Sequence, residues 1–143
     1  MAAGYLTGVN QGFLVGSDKT ATSGLLENQT GVPFSLTSIM GSYALSAPMP
    51  ADDVASNVIG QLTANGAGKM QGVVDEIDSS GQNPSQSFVG NATVAATGQG
   101  TMVTNTPVGI PTNLAIYVVA PSAIRAISTD SVDTHPQVIF FDH

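Results

Sequence analysis

The chain contains no cysteine, very few basic residues and no long hydrophobic run. Without cysteine there is no disulfide, no thiolate nucleophile and no cysteine-ligated metal. Lys and Arg together number 3 and the formal net charge is −7, so the basic surface that nucleic acids and anionic membranes attract is missing. No apolar stretch approaches the roughly 20 residues of a membrane-spanning helix. We therefore expect no nucleic-acid partner, no membrane insertion and no cysteine chemistry.

Charged residues of either sign are scarce as well. They make up 9% of the 143 residues, where about a quarter is usual for soluble domains. With 42% hydrophobic residues, solubility depends on Ser, Thr, Asn, Gln and Gly. This balance is typical of extracellular β-proteins, so we predict an extracellular or cell-surface location.

Helical periodicity is almost absent, and short β-rich segments alternate with turn residues. Tight turns, such as Asn65-Gly66 and Gly98, pair neighbouring strands antiparallel. The sequence predicts an all-β fold, an antiparallel up-and-down β-barrel of about eight strands and calycin-like type, with a two-sheet β-sandwich as the alternative. The stretches 29–40 and 79–86 are predicted to be a linker and a loop. The predicted strands are 41–46, 57–63, 69–78, 87–96, 99–104, 113–120, 123–128 and 137–142.

The N-terminal 30 residues repeat the outline of the last three predicted strands. "YLTGVNQGFLVGSD" (5–18) and "YVVAPSAIRAISTD" (117–130) both run from Tyr through two β-rich stretches to Asp. The offset is 112 residues for the first two strands and 115 for the third, "LLEN" against "FFDH". We predict that residues 1–30 form three extra strands, at 4–9, 12–17 and 23–28, that correspond to the end of a preceding repeat. Residues 31–143 would then be one complete barrel.

The same segments resemble a known kind of repeat. "GSYALS", "GQLTANGAGKMQGVVDEIDSSG", "GNATVAATGQGTMVT" and "NLAIYVVAPSAIRAISTD" are similar to the tandem-repeat module of secreted, Ig-like-labelled surface proteins of acidobacterial-type soil bacteria. The resemblance covers nearly the whole chain, although Asn65 stands where Asp is usual and Gln99 where Arg is common. Its motifs are turn motifs, so the resemblance implies shape and secretion and no particular reaction.

One acidic run deserves a test as a metal site. Asp75, Glu76 and Asp78 are weak calcium candidates at a strand end, where carboxylates are the ligands that Ca²⁺ prefers. In a strand, Asp75 faces away from Glu76 and lies on the side of Ile77. The spacing does not match an EF-hand loop, and the favoured interpretation is a solvated strand end.

The C-terminal tail "DTHPQVIFFDH" holds Asp133, His135, Asp142 and His143. A strand of about six residues separates the two pairs by roughly 20 Å, so they do not share one site. The sequence therefore predicts no metal site and no cofactor here. With two histidines near one terminus, no catalytic triad is indicated either.

Three functions remain open at this stage. The favoured one is a non-catalytic structural or assembly module that self-associates, as a homo-oligomer or with neighbouring repeats, by β-strand complementation. The alternatives are a lipocalin-like barrel for a small apolar ligand and, least favoured, a carboxylate-dependent enzyme. The candidate interface residues are Tyr5, Phe13, Leu25, Leu26, Tyr117, Ile139 and Phe140.

Overall fold

The structure is a computed structural model that describes residues 2–6, 11–16, 23–48, 57–78, 81–105, 110–130 and 138–143. The chain divides into two compact units, residues 1–30 and residues 31–143. No helix in these described ranges is long and apolar enough to cross a bilayer.

The first unit is a three-stranded antiparallel sheet. Its strands are β1 (Ala2–Leu6), β2 (Gln11–Gly16) and β3 (Ser23–Glu27), paired in the order β1-β2-β3. The three extra strands predicted from the repeat are present. The first begins at Ala2, two residues before the predicted start, and residues 7–10 lie outside the described part of the chain.

The second unit is a closed barrel of eight antiparallel strands, and this confirms the predicted barrel over the sandwich. Each strand pairs with its neighbours in sequence, and the last strand pairs with the first to close the barrel, as in Phe141 opposite Leu45. Closure leaves no barrel edge exposed for uncontrolled pairing. The strands are β4 (Gly41–Ala47), β5 (Asn57–Ala64), β6 (Lys69–Asp78), β7 (Gly81–Val94), β8 (Gln99–Thr104), β9 (Asn113–Ala120), β10 (Ala123–Ser128) and β11 (Val138–Asp142).

The barrel interior is filled by the side chains that point inward from each strand. Buried and exposed residues alternate, as in β5 and β6, because successive side chains of a strand point to opposite faces. Dense side-chain packing in the interior supplies the main hydrophobic stabilisation. The largest fully buried side chains are Tyr43, Phe88, Phe141, Ile39, Leu45, Leu62, Met70, Met102, Leu114, Ile116, Ile124 and Ile139.

Inward-facing glycines let neighbouring strands approach closely. A Cβ on Gly72 would meet the backbone carbonyl of Gln61 on β5, and a Cβ on Gly100 would meet that of Thr93 on β7. Glycine inside a strand marks such close backbone approaches and the bends that close a barrel. These positions therefore exclude any side chain.

The predicted linker is instead part of the barrel core. Leu36–Ile39 forms one turn of 3-10 helix, with the Ser35 N–H donating to Ser38 Oγ at 3.1 Å. Phe34 and Ile39 are 4% and 1% exposed, and both belong to the hydrophobic core. We call residues 31–40 the cap segment.

The cap segment covers the barrel end that carries the β5–β6, β7–β8 and β9–β10 turns, which we call the capped end. One contact reaches each turn, so the segment ties together hairpins that are distant in sequence. The contacts are the Phe34 N–H to the Ala96 carbonyl at 3.0 Å, Leu36 beside Gly68, and Gly31 beside Pro121.

Strand β7 begins six residues earlier than predicted, within the predicted loop. A β-bulge interrupts the β6–β7 register between Val74 and Glu76, and Ser85 has φ of 56°. The Ser85 N–H donates to Asp75 Oδ1 at 2.6 Å, which holds this uncommon conformation for a non-glycine residue. The polar sequence "GQNPSQ" therefore continues the sheet as an irregular strand.

Candidate assembly interface

The three-stranded sheet has the same register as β9–β11, and two of its strands, β2 and β3, also have the same strand bounds as β10 and β11. Adding 112 to β2 gives 123–128, the bounds of β10, and adding 115 to β3 gives 138–142, the bounds of β11. The pair Tyr5 opposite Phe13 corresponds to Tyr117 opposite Arg125, with the same shift of 112 on both strands. The offsets found in the sequence are thus repeated in the hydrogen-bonded ladders.

The outer face of β9–β11 carries a row of large side chains. Tyr117, Arg125 and Phe140 stand opposite one another on the three strands. Tyr117 is 46% exposed, and the Arg125 guanidinium lies 5.1 Å from the centroid of the Phe140 ring and 2.8 Å from Asp142 Oδ1. The cation–π and ion-pair contacts hold Arg125 and Phe140 of this row in place.

The corresponding row in the first unit consists of two aromatic residues and a leucine. Tyr5, Phe13 and Leu25 are register partners across β1, β2 and β3. Leu25 is 45% exposed. Five of the seven predicted interface residues therefore stand in these two equivalent rows.

Ile139 is not at a surface, which corrects its place among the interface residues. It is fully buried on the inner face of β11. Leu26 lies on the corresponding inner face of β3, but it is 42% exposed, whereas its counterpart Phe141 is 0% exposed. The inner-face side chain at this position is therefore exposed in the first unit and buried in the barrel.

The inner faces of the two sheets differ in residue size. In the barrel, Ala126 stands between Ile116 and Ile139, and Ile124 stands between Val118 and Phe141. At the equivalent positions of the first unit, Leu14 stands between Gly4 and Gly24, and Gly12 stands between Leu6 and Leu26. The backbone pairing is the same, but three buried isoleucines are replaced by glycine.

The three calcium candidates do not converge. Asp75 accepts from the Ser85 N–H, and Asp78 Oδ1 accepts from the Gly81 N–H at 3.0 Å within the β6–β7 turn. No group of three or more His, Asp or Glu suited to a metal is found in the described ranges. Asp75 and Asp78 each hold a separate stretch of backbone.

Glu76 is buried, whereas the favoured sequence interpretation placed it in solvent. It is 2% exposed, on the inward side of β6, and Asn83 Nδ2 donates to its Oε2 at 3.2 Å. Met70 and Val74 have the same parity along β6, so strand alternation contained the signal for this burial. The prediction that Asp75 faces away from Glu76 is confirmed.

Of the two Asp and His pairs in the C-terminal tail, the structure describes only the second, Asp142 and His143. Asp142 pairs with Arg125, and the His143 ring meets the Tyr43 ring edge-to-face at 5.6 Å. Asp133 and His135 lie outside the described residues, as do Asp52 and Asp53, an adjacent acidic pair that the sequence places in a loop.

The residues that carry the family resemblance have structural roles, either in the tight turns or in contacts between barrel strands and turns. Asn65 Oδ1 accepts from the Ala67 and Lys69 N–H groups, and Gly66 and Gly98 have φ of 74° and 86°. The Tyr43 hydroxyl donates to the Pro121 carbonyl at 2.7 Å, and burial raises the pKa of this phenol above its ordinary value. None of these contacts builds a reactive group.

Asp130 fastens the β8–β9 connection. Its Oδ1 accepts from Asn113 Nδ2 at 2.6 Å, and its Oδ2 accepts from the Thr112 and Asn113 N–H groups at 2.8 and 3.3 Å. The hydrogen bond from the Asn113 side chain is the largest influence, and it lowers the pKa of the Asp130 carboxyl below its ordinary value. Desolvation opposes this shift, and the two backbone donors lower the pKa further. Hydrogen bonds to the charged form favour ionisation.

We expect this carboxylate to make the stability of the barrel depend on pH in the acid range. Because the folded pKa is lowered, its contribution is present above the unfolded value of about 3.9 and is lost as the pH falls through the folded pKa. Asn113→Ala should lower the urea-unfolding midpoint near pH 6 and flatten its decline between pH 5 and pH 2. The exposed Asn91 gives a matched control, Asn91→Ala, and an Asn113 variant with the wild-type pH profile would contradict the assignment.

Comparison with protein-family models, with curated proteins and with solved structures gives no match to this chain.

Proposed function

We propose that the protein is a non-catalytic structural module of an extracellular array, in which residues 1–30 complete a neighbouring barrel by strand complementation. The observation that carries this proposal is the shared register of β1–β3 and β9–β11. In the barrel, β9 pairs with β8 and β11 pairs with β4. The outer edges of β1 and β3 correspond to these two pairing edges, and an open sheet edge is a template for a further strand.

The packed interior favours a structural role over a ligand-binding barrel. Buried side chains from all eight strands and from the cap segment form one continuous hydrophobic cluster. An eight-stranded barrel has an interior that side chains alone can fill. The secreted setting comes from the low charge and the absence of cysteine.

An extended chain tests the proposal directly. Residues 31–112 are placed ahead of residue 1, so that a second copy of β4–β8 precedes β1–β3 with the spacing of the repeat. To test the backbone architecture, β1–β3 carry the β9–β11 residue at four inward positions, through Gly4→Ile, Gly12→Ile, Leu14→Ala and Gly24→Ile. We call this the restored chain.

A disulfide reports whether β1 occupies the position of β9. Gln99 pairs with Tyr117 across β8 and β9 on the outer face, and paired residues lie about 4.5–5.5 Å apart, within disulfide range. Gln99→Cys in the added copy with Tyr5→Cys should form a disulfide in the restored chain. Gln99→Cys with Tyr117→Cys in the barrel itself is the control, and the absence of native cysteine makes each bond unambiguous. If only the control bond forms, residues 1–30 do not complete a barrel and the proposal fails.

A further inference from the structure

The inner face of β1–β3 makes an identical barrel a poor partner. Ile116, Ile124 and Ile139 are each 0% exposed in the barrel. Gly4, Gly12 and Gly24 occupy the equivalent register positions. Large-to-small changes in a core lose both the buried apolar surface and the contacts across the cavity that remains.

The two enlargements do not offset these losses. Leu14 corresponds to Ala126 and Leu6 to Val118, but Leu26 corresponds to the larger Phe141. A closed set of β4–β8 that fits Ile116, Ile124 and Ile139 would therefore enclose empty space around β1–β3. In addition, β4 and β8 of this barrel already pair with β11 and β9 of the same chain.

Resting on the proposed function, we infer that the partner of residues 1–30 is a non-identical barrel, and that Gly4, Gly12 and Gly24 set this specificity. The partner supplies five antiparallel strands, with pairing edges like those of β4 and β8. Its inward side chains are larger than those of β4–β8 here and fill the space above the three glycines. Complementary packing of this kind selects one neighbour by volume and rejects a copy of the same chain.

The inference predicts that the extended chain with its natural β1–β3 closes poorly. With Gln99→Cys in the added copy and Tyr5→Cys in β1, the disulfide should form with a yield at least about tenfold below that of the restored chain. The thermal midpoint of the added barrel should rise by more than about 15 °C on restoration. A control chain with Ala3→Ile, Gln11→Ile and Ser23→Ile adds apolar volume at the opposite parity of each strand and should rescue neither quantity.

The outcomes separate the two proposals. A restored chain that fails to close overturns the barrel-completion function itself. A natural chain that closes as well as the restored chain overturns only the specificity inference, because an identical barrel is then an adequate partner.

Light scattering of the full chain, 1–143, gives a second readout. We expect the mass of one chain throughout a concentration series. Oligomers that disappear when residues 1–30 are removed would overturn the inference of a non-identical partner while supporting assembly through this segment.

Discussion

Gly100→Ala and Gly72→Ala are each expected to lower the free energy of unfolding by about 3 kcal/mol or more. The added Cβ meets a backbone carbonyl oxygen, of Thr93 in the first case and Gln61 in the second. A carbonyl within a hydrogen-bonded ladder cannot turn aside without disturbing the strand pairing, and packed interiors offer little room for relaxation. Urea unfolding followed by circular dichroism measures the loss.

Gly90→Ala is the matched control for these substitutions. Gly90 also faces inward, but its added Cβ would meet only side-chain atoms, Met102 Sδ at 2.9 Å and the Phe88 ring at 3.2 Å. Methionine adapts to small changes of shape, so we expect a loss of under about 1 kcal/mol. Equal losses at Gly90, Gly72 and Gly100 would show that close backbone approach is not what selects glycine at the latter two positions.

Ile116→Gly, Ile124→Gly and Ile139→Gly combined in one chain are expected to abolish folding of the barrel. The triple variant gives β9–β11 the glycine positions of β1–β3. Loss of each fully buried side chain costs about 3–5 kcal/mol. The combined cost is comparable to or above the roughly 5–15 kcal/mol by which single domains are stable.

Valine at the same three positions is the control, because each Ile→Val change costs about 1 kcal/mol and keeps β-propensity. This variant should remain folded, with a lower unfolding midpoint. Circular dichroism and the dispersion of amide proton resonances distinguish the two results. A folded triple-glycine barrel of near wild-type stability would mean that inward volume does not limit closure, which removes the basis of the specificity inference.

The strands could be predicted because each is bounded by turn residues and alternates in polarity. The bounds of β6, β8, β9 and β10 coincide with the predicted ones. Tight turns also specified the meander order, since each permits only antiparallel pairing of its neighbours. The register of β1–β3 followed from the sequence offset, since a one-residue slip would have moved every residue to the other face.

The cap segment and the start of β7 could not be predicted, because their conformations do not follow from local sequence patterns. "QTGVPFSLTSIM" contains only two residues that enter the core, Phe34 and Ile39, and they show neither strand nor helix periodicity. "GQNPSQ" contains Pro84 and few apolar residues, and its strand conformation depends on the Asp75 carboxylate 10 residues away. Both features arise from tertiary contacts, which local sequence patterns do not contain.

The burial of Glu76 could be predicted from its position along the strand, but not from the composition of the protein. An acidic protein with few basic residues makes a solvated carboxylate the natural expectation. Alternation from Met70 through Val74 places Glu76 inside, and Asn83 on the adjoining bulged strand supplies a hydrogen bond. The sequence position of Asn83 gives no indication of this pairing, because the bulge shifts the register.

The closing seam between β11 and β4 has a mechanical consequence. Gly41, at the start of β4, lies against the ring of His143, which follows β11, so the chain enters and leaves the barrel at one end. Tension applied between residues 31 and 143 would pull the two paired strands apart from that end. Because the force acts at one end of this antiparallel pair, its hydrogen bonds would break sequentially. Shear loading along the strands would instead break them together. The barrel would therefore yield at low force along this seam, and a chain of such modules could lengthen under load by opening barrels singly.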